Sequence, residues 1–368
     1  MRQLKIRFKK YNDVWENVKL TEIAPIVMGQ SPDSKNYTDN PNDYILVQGN
    51  ADMKNGRVVP RVWTTQVTKL AEKGDLILSV RAPVGDIGKT DYNVVLGRGV
   101  AAIKGNEFLF QLLTKMKQSH YWSKFSTGST FESINSNDIK SAEIYLPSIE
   151  EQSVIGSLFR TLDVLLASYK ENLANYQSLK ATMLSKMFPK DGQTVPEIRL
   201  DGFEGEWKRK NLSEVCNINS GRDYKHLKDG DIPVYGTGGY MLSVNDKLSD
   251  EDAIGIGRKG TIDKPYLLSA PFWTVDTLFY VTCKVGYDLY YLFLIFQKVR
   301  WKKFDESTGV PSLSKKTIEK VVSKFPSLPE QQAIGAYFYN LDNLINSYQE
   351  KLSQLETLKK KLLQDMFI

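Results

Sequence analysis

The chain has 368 residues, which is enough for two or three domains at roughly 150 residues each. Hydrophobic residues make up 41% and charged residues 25% of it, the composition of an ordinary soluble globular protein. Only two histidines (His120 and His226) and two cysteines (Cys216 and Cys283) are present, which excludes a Cys/His zinc cluster and a disulfide framework. The composition therefore predicts a protein with no metal site and little equipment for histidine-dependent catalysis.

Charge and hydropathy narrow the class further. The net charge of +6 lies entirely in residues 1–190, while residues 191–368 are neutral overall, a weaker imbalance than that of a stand-alone nucleic-acid binder. The opening sequence Met-Arg-Gln-Leu-Lys is not a signal peptide, and no apolar run approaches the roughly 18 residues that span a bilayer. We therefore expect a cytoplasmic protein with no membrane partner.

In chain order, the hydrophobic pattern alternates between strand-rich blocks and long helices, which predicts an α+β protein. Each block contains short apolar runs bounded by Gly, Pro, Asn and Asp. The expected strands are Asp43–Gln48, Asp75–Val80, Ala253–Ile256 and Thr277–Thr282, and the expected short helices are Phe108–Lys117 and Asp288–Phe304. The expected domains are a globular domain at 1–146, a spacer helix with its linker at 147–190, a second globular domain at 191–325 and a second spacer helix at 326–368.

The two long helices are copies of one another. Residues 147–188 and 326–367 align without a gap at a constant offset of 179, and 19 of the 42 positions are identical. A weaker match at an offset of 192 opens each half, where Ile6-Arg7-Phe8 aligns with Ile198-Arg199-Leu200. The chain is therefore an internal repeat, in which a variable block is followed twice by the same helix. The fragments of similarity inside the blocks are Asp75 to Arg81 against Asp252 to Arg258, and Ser126-Thr127-Gly128 against Ser307-Thr308-Gly309.

Each copy of the long helix carries an apolar or aromatic residue at every seventh position. Five such heptads without an interior proline predict a coiled coil, and the alternative is a buried core helix of a larger bundle. The heptad positions are Ile155, Leu162, Tyr169, Tyr176 and Met183 in the first copy and Ile334, Leu341, Tyr348, Leu355 and Leu362 in the second.

The connectivity predicts how the helices pair. The second block leaves the end of the first helix and returns to the start of the second, and a compact domain keeps its two ends close together. We therefore expect antiparallel helices forming a spacer of about 57 Å, with a globular domain at each end and a pseudo-two-fold relation between the halves. Two different reading modules at a fixed separation suit a bipartite, asymmetric DNA target.

These features resemble the specificity subunit of type I restriction-modification systems. The resemblance lies in the Pro-Ser-Ile-Glu-Glu-Gln and Pro-Ser-Leu-Pro-Glu-Gln helix starts, the Ile-Gly and Leu-Asp pairs, and the Pro-Glu-Ile-Arg-Leu opening of the second half. It implies that each variable block is a target-recognition domain that binds one half of a split double-stranded DNA sequence. It also implies that the helices dock two methyltransferase subunits, that two restriction subunits complete the complex, and that this chain has no catalytic residues. S-adenosylmethionine, ATP and Mg²⁺ are then expected on the partner subunits and no cofactor on this chain.

Candidate DNA contacts are cations and small residues in turn-rich stretches. Arg81 and Arg258 occupy matching positions after a strand, where a guanidinium can approach a phosphate or guanine. The alternative is a surface arginine paired with an acid. Gly128-Ser129 and Gly309 lie in paired Ser-Thr-Gly turns whose amides can hold a phosphate, and the alternative is an ordinary turn. The remaining candidates are Arg57, Arg61, Arg98, Arg222, Lys225 and Lys259.

Candidate partner contacts are the residues shared by the two helix starts. Matching copies on exposed helix faces would let two identical partners bind in the same way, and the alternative is that they only cap and pack the helices. These residues are Glu151, Gln152, Ile155 and Gly156 in the first copy and Glu330, Gln331, Ile334 and Gly335 in the second.

Two other functions remain open at the level of sequence. A coiled-coil scaffold would present two heads to other proteins. A self-contained DNA methyltransferase or nuclease needs a cofactor loop or a carboxylate metal cluster, and the sequence contains neither motif.

Overall fold

The computed structural model describes residues 4–125 and 132–368. Contacts divide the chain into unit 1, which comprises Met1–Lys170 and Glu350–Ile368, and unit 2, which comprises Glu171–Gln349. Both boundaries fall inside long helices. Each unit therefore contains a globular part, the first portion of one long helix and the last portion of the other. We call the globular parts head 1 and head 2.

The long helices are the largest elements, and each has 38 residues. They begin two residues later than the repeat predicts, because the Pro-Ser pair of each copy precedes the helix instead of opening it. The helices are α1 (Leu20–Ile23), α2 (Glu107–Gln118), α3 (Ser136–Lys140), α4 (Ile149–Lys186), α5 (Leu212–Val215), α6 (Leu289–Lys298), α7 (Lys315–Glu319) and α8 (Leu328–Asp365). Short 3₁₀ helices lie at Ser34–Asn36, Asn50–Asp52, Tyr121–Lys124 and Trp301–Phe304.

Head 1 contains short strands in three groups. They are β1 (Glu16–Lys19), β2 (Ile26–Met28), β3 (Tyr37–Thr38), β4 (Tyr44–Val47), β5 (Met53–Lys54), β6 (Arg57–Val58), β7 (Trp63–Thr64), β8 (Leu70–Ala71), β9 (Leu76–Ser79), β10 (Ile87–Lys89), β11 (Val94–Leu96), β12 (Val100–Ile103) and β13 (Glu143–Leu146). One sheet has the order β2-β12-β9-β10-β6-β5, a second has the order β3-β7-β4-β11-β8, and β1 pairs with β13. All four residues of β9 are buried, as expected for an apolar run inside a sheet covered on both faces.

Head 2 repeats this plan with fewer strands. They are β14 (Lys208–Asn211), β15 (Cys216–Ser220), β16 (Asp229–Gly236), β17 (Gly239–Val244), β18 (Ala253–Gly257), β19 (Tyr266–Leu268), β20 (Trp273–Thr274), β21 (Leu278–Cys283) and β22 (Val322–Phe325). The sheet orders are β15-β21-β18-β19 and β17-β16-β20, and β14 pairs with β22. In both heads a two-stranded ribbon joins the opening of the head to the strand that leads into the long helix.

Within each unit the two long helices run antiparallel, because partner numbers fall on one helix as they rise on the other. The contacts repeat at the offset of 179, so that Asp163 and Lys359 of unit 1 correspond to Asp342 and Lys180 of unit 2. The expectation of antiparallel helices is therefore confirmed within each unit. The pairs are Asp163–Lys359 and Lys170–Glu356 (2.8 Å) in unit 1, and Tyr176–Tyr348 (5.2 Å between ring centroids) and Lys180–Asp342 (2.6 Å) in unit 2.

Aromatic clusters tie each head to both long helices. In each unit a tryptophan from the head opening lies in one cluster with a ring on α2 or α6, a phenylalanine of one long helix and a phenylalanine just after the end of the other. Each buried ring contributes roughly 1.5–3 kcal/mol, so the head and the helix ends share one core. The clusters are Trp15, Phe108, Phe159 and Phe367 in unit 1 and Trp207, Tyr291, Phe338 and Phe188 in unit 2.

The four strands expected from the sequence are present as β4, β9, β18 and β21, and the α+β class is confirmed. One expected helix is too long. The segment Asp288–Phe304 is helical only at Leu289–Lys298, because Val299 takes an extended conformation and a separate 3₁₀ turn follows at Trp301–Phe304.

Candidate nucleic-acid interface and helix anchors

The segment after β9 in head 1 and the segment after β18 in head 2 make the same backbone hydrogen bonds. The register of this match differs from that of the sequence alignment. In each head one residue donates its N–H across the sheet and accepts from the chain that returns toward the long helix. That residue is Val80 in head 1 and Arg258 in head 2, so the prediction that Arg81 matches Arg258 is wrong by one position. The bonds are Val80 N to Gly99 O (2.9 Å), Ile134 N to Val80 O (3.0 Å), Arg258 N to Thr277 O (2.8 Å) and Leu313 N to Arg258 O (2.9 Å).

The structural equivalent of Arg81 is Lys259. Each forms an isolated antiparallel bridge with a serine of the returning chain, Arg81 with Ser133 and Lys259 with Ser312. Both residues are exposed. Within residues 4–125 and 132–368 neither side chain makes an ion pair, which leaves a cation at the same backbone position of both heads.

Arg81 and Arg98 line one polar cleft of head 1, with a volume of about 270 Å³. Gln48 and Asn50 also line this cleft, the Gln48 side-chain amide donates to the Tyr37 hydroxyl (2.9 Å), and Ser31 accepts a hydrogen bond from the Arg98 main chain (3.0 Å). Arginine, asparagine and glutamine are the side chains that read guanine and adenine edges in the major groove. The structure therefore brings two of the predicted arginines together with Gln48 and Asn50, which the sequence did not single out.

Two predicted cations are held by acids instead. Arg57 donates to Asp91 (2.8 Å), and both side chains are about half exposed. Arg61 donates to Asp52 (2.9 Å), a buried carboxylate that also accepts the main-chain N–H of Gln48 (2.7 Å). Their guanidinium groups are engaged within head 1, as in the alternative of a surface arginine paired with an acid.

The head 2 candidates differ in how far they are engaged. Arg222 and Lys225 are exposed, and the Arg222 main chain accepts a hydrogen bond from the Trp273 indole (3.0 Å). The Arg258 guanidinium lies over the Phe279 ring at 5.9 Å from its centroid, at the outer end of the range for a cation–π contact.

The Ser-Thr-Gly turns are only partly described. Gly128 and Ser129 lie outside the described residues. Gly309 is exposed in a loop where the Asp305 carboxylate accepts the Ser307 and Ser312 amide N–H groups (3.0 and 2.9 Å). These hydrogen bonds from main-chain N–H groups lower the pKa of the Asp305 carboxylate. Two amides of this turn are therefore already bound to a carboxylate.

The shared residues of the helix starts do not lie on an exposed face, which corrects the expectation for all eight of them. Glu151 and Glu330 are each 1% exposed and receive two hydrogen bonds from an arginine of the head opening. We call these ion pairs the head anchors. They are Arg7 Nε and Nη2 to Glu151 (2.8 and 2.7 Å) and Arg199 Nε and Nη2 to Glu330 (2.8 and 2.7 Å).

The other shared residues complete the same attachment. Gln152 and Gln331 each donate to the carbonyl of the proline that precedes the helix (3.0 Å in both). Ile155 and Ile334 are buried in the two cores. A Cβ on Gly156 would lie 3.0 Å from the Glu107 Cβ, and one on Gly335 would lie 2.6 Å from the Asp288 Oδ1, so only glycine lets the helix approach the head. The repeated motif fastens each helix to its own head.

Sequence reasoning did not identify the arginines of the head anchors or the lysines that bind Asp163 and Asp342. The signal was present, because Arg7 and Arg199 match at the offset of 192. The hydrogen bond to Glu151 raises the pKa of Arg7. Asp163 also accepts from Gln111 (2.8 Å), and Asp342 accepts from the Tyr290 hydroxyl (2.6 Å).

Two features are absent from the described part of the chain. Among residues 4–125 and 132–368, no three His, Cys, Asp or Glu side chains cluster closely enough to hold a metal ion. None of the helices in that part is both long and apolar enough to cross a membrane.

The fold defines a tandem repeat in which a strand-rich head is anchored to a long helix. The family model of the type I restriction modification DNA specificity domain matches residues 12–175 and again residues 204–357. Because these matches cover most of the sequence, the chain belongs to this family.

Similar proteins carry related descriptions. Over 179 residues the chain is 30% identical to a putative type I restriction enzyme MjaX specificity subunit of Methanocaldococcus jannaschii, covering 46% of this chain and 42% of that protein. It is 24% identical over 256 residues to a putative type I specificity subunit of Mycoplasma genitalium, covering 65% of this chain and 66% of that protein. The chain thus matches between about four tenths and two thirds of the length of these relatives.

A solved structure shares the fold along its whole length. The type I restriction-modification system S subunit from M. genitalium superposes with a TM-score of 0.76 at 18% sequence identity, covering 100% of this chain and 99% of that chain.

Proposed function

We propose that this chain is the DNA sequence-recognition (specificity) subunit of a type I restriction-modification complex in the cytoplasm, and that it is not itself an enzyme. The observation that carries the proposal is that the two heads share a set of backbone hydrogen bonds but present different exposed side chains. Each head reads one half of a bipartite, asymmetric double-stranded DNA target. The functional division is a target-recognition domain at 1–146, a spacer at 147–190, a second target-recognition domain at 191–325 and a second spacer at 326–368.

The exposed cations support DNA as the ligand. Arg81 and Lys259 have no ion-pair partner among the described residues and occupy one equivalent position in both heads. The phosphate backbone is the same in every DNA sequence, so two heads that read different bases still need the same backbone contact. Such contacts release counterions, which predicts that DNA affinity falls steeply with salt.

The docking sites for two methyltransferase subunits are centred on exposed leucines of the helices. Leu165 and Leu358 are exposed in unit 1, and Leu344 and Leu179 are exposed at the equivalent positions of unit 2. Within each unit the two leucines lie at the same level of the helix pair. Two equivalent apolar positions suit two identical partners. Two restriction subunits join in the full complex, and S-adenosylmethionine, ATP and Mg²⁺ belong to the partner subunits.

The first experiment is co-expression of the chain with its methyltransferase subunit, followed by genome-wide mapping of methylated adenines. We expect a single split sequence with two different halves and a fixed spacer. Methylation without a split sequence contradicts the proposal. Failure of the complex to bind DNA at low salt favours a scaffold that presents its heads to proteins, and adenine methylation by the isolated chain favours a self-contained methyltransferase.

Domain exchange tests whether each head determines its own half of the DNA target. Replacing residues 191–325 by the corresponding domain of another family member is expected to change one half of the target and to leave the other half unchanged. The reciprocal exchange of residues 1–146 is the matched control and is expected to change the other half. A change of both halves after one exchange contradicts the proposal.

Substitution on the helices tests the docking site. We expect the Leu165→Asp/Leu358→Asp variant to lose one methyltransferase subunit, which native mass spectrometry detects as a one-to-one complex. The Leu344→Asp/Leu179→Asp variant is expected to behave in the same way. Glu171→Ala, at an exposed polar position of α4, is the control that keeps both partners. Full two-to-one binding by either leucine variant contradicts the assignment.

A further inference from the structure

One turn makes the same backbone hydrogen bonds in both heads. In head 1 this turn lies between β11 and β12, and in head 2 it lies between β20 and β21. Its first residue donates across the sheet and its carbonyl accepts from the residue three positions later. The bonds are Gly97 N to Val47 O (2.7 Å) and Val100 N to Gly97 O (3.3 Å) in head 1, and Val275 N to Tyr235 O (3.0 Å) and Leu278 N to Val275 O (2.9 Å) in head 2.

A glycine from another segment of the same head approaches each turn closely, which confirms that the two turns correspond. A Cβ on Gly29 would lie 2.0 Å from the Gly97 oxygen, and one on Gly221 would lie 2.0 Å from the Val275 oxygen. Both glycines therefore meet the first residue of the turn in the same way. The second residue of the turn is Arg98 in head 1 and Asp276 in head 2, which makes these two residues structurally equivalent.

The equivalent residues carry opposite charges. Arg98 and Asp276 are both exposed, and neither side chain makes an ion pair within the described part of the chain. Arg98 lines the polar cleft of head 1 together with Arg81. The neighbouring position therefore carries a cation in both heads, Arg81 in head 1 and Lys259 in head 2. The position of Arg98 and Asp276 carries a cation in head 1 and an anion in head 2.

The change of sign limits what this position can touch. A phosphate contact is available to Arg98 but repels Asp276, so a shared backbone contact is excluded for the pair. Base edges differ between the two halves of a split target. The guanidinium of arginine matches the O6 and N7 acceptors of guanine, and a carboxylate accepts from the N4 amino group of cytosine.

We propose that Arg98 and Asp276 are equivalent base-reading residues, and that Arg98 selects guanine in one half of the target while Asp276 selects cytosine in the other half. The inference rests on the proposed DNA-reading function and names the specificity-determining residues of that function. Arg81 and Lys259 then hold the phosphate backbone beside the bases that are read.

The experiment uses the complex of the full chain with its methyltransferase subunits, and it measures affinity for the wild-type target and for targets with each base exchanged. Arg98→Ala is expected to remove discrimination at one guanine by between about 5-fold and 150-fold. Arg98→Lys keeps the charge and can still donate to guanine but loses the planar fork, so we expect a smaller loss of discrimination than in Arg98→Ala, with binding to nonspecific DNA preserved. Asp276→Asn is expected to shift one position of the other half from cytosine to adenine, which an amide reads.

The controls separate this inference from the function on which it rests. Lys140→Ala removes an exposed cation from α3 of head 1, outside the cleft, and is expected to leave all base preferences unchanged. A uniform loss of affinity for every sequence in Arg98→Ala assigns a phosphate contact and overturns the inference alone. Unchanged preferences, or a change in the half read by the other head, also overturn it. A wild-type complex without a split target overturns the proposed function as well.

Discussion

Replacing Glu330 by alanine tests whether the head anchors hold each head to its helix. Glu330 is 1% exposed, and its carboxylate accepts two hydrogen bonds from Arg199 (2.8 and 2.7 Å) and one from the Trp207 indole N–H (3.3 Å). Its removal leaves a largely buried guanidinium without a counter-charge, which costs about 3–5 kcal/mol when a buried pair is broken. Arg199 keeps hydrogen bonds to the carbonyls of Glu204 and Gly205, so we expect a loss of about 3 kcal/mol.

The assay is urea unfolding of the full chain, with hydrogen exchange to locate the change. We expect faster exchange in unit 2 and unchanged exchange in unit 1, because the anchor lies within unit 2. The double variant Arg199→Ala/Glu330→Ala leaves no unpaired charge. Its loss in free energy of unfolding is therefore expected to be at least about 1 kcal/mol smaller than the sum of the losses in the two single variants. Glu171→Ala is the exposed control in the same unit. A loss below about 1 kcal/mol for Glu330→Ala, or strict additivity, refutes the reasoning.

Further outcomes follow from individual contacts. Gly335→Ala is expected to destabilise unit 2 by about 1–3 kcal/mol in urea unfolding, because the new Cβ would lie 2.6 Å from the Asp288 carboxylate. Trp207→Phe is expected to cost about 0.5–1.5 kcal/mol more than Trp15→Phe, because the Trp207 indole donates to Glu330 and the buried Trp15 indole N–H has no acceptor among the described residues; equal losses contradict this. Burial raises the pKa of both cysteine thiols to about 12, so Ellman's reagent at pH 8 should label the folded chain at least about 100 times more slowly than the urea-unfolded chain.

The long helices show which features local sequence predicts well. The heptad pattern and the repeat place them within two residues of the observed bounds, because helix periodicity is written in neighbouring residues. The antiparallel pairing also followed from connectivity alone. The strand-rich heads were predicted as a class, but their sheet orders were not, since pairing partners lie far apart in the chain.

The Arg81 and Arg258 alignment shows why the site needed the structure. Matching letters in Asp75 to Arg81 and Asp252 to Arg258 indicated one register, and the backbone hydrogen bonds gave another that differs by one residue. In a strand, a shift of one residue moves a side chain to the opposite face. The equivalence of Arg98 with Asp276 was invisible for the same reason, because the two turns share geometry and no residues.

The sequence by itself determined that this protein is a doubled head-and-helix chain, because the copies are similar enough to be aligned without coordinates. It also determined that residues such as Glu151 and Glu330 matter to both copies. Only the tertiary structure decided what they do. Identity between copies records a shared requirement, and whether that requirement is packing or docking depends on burial, which is set by contacts more than a hundred residues away, such as the one from Arg7 to Glu151.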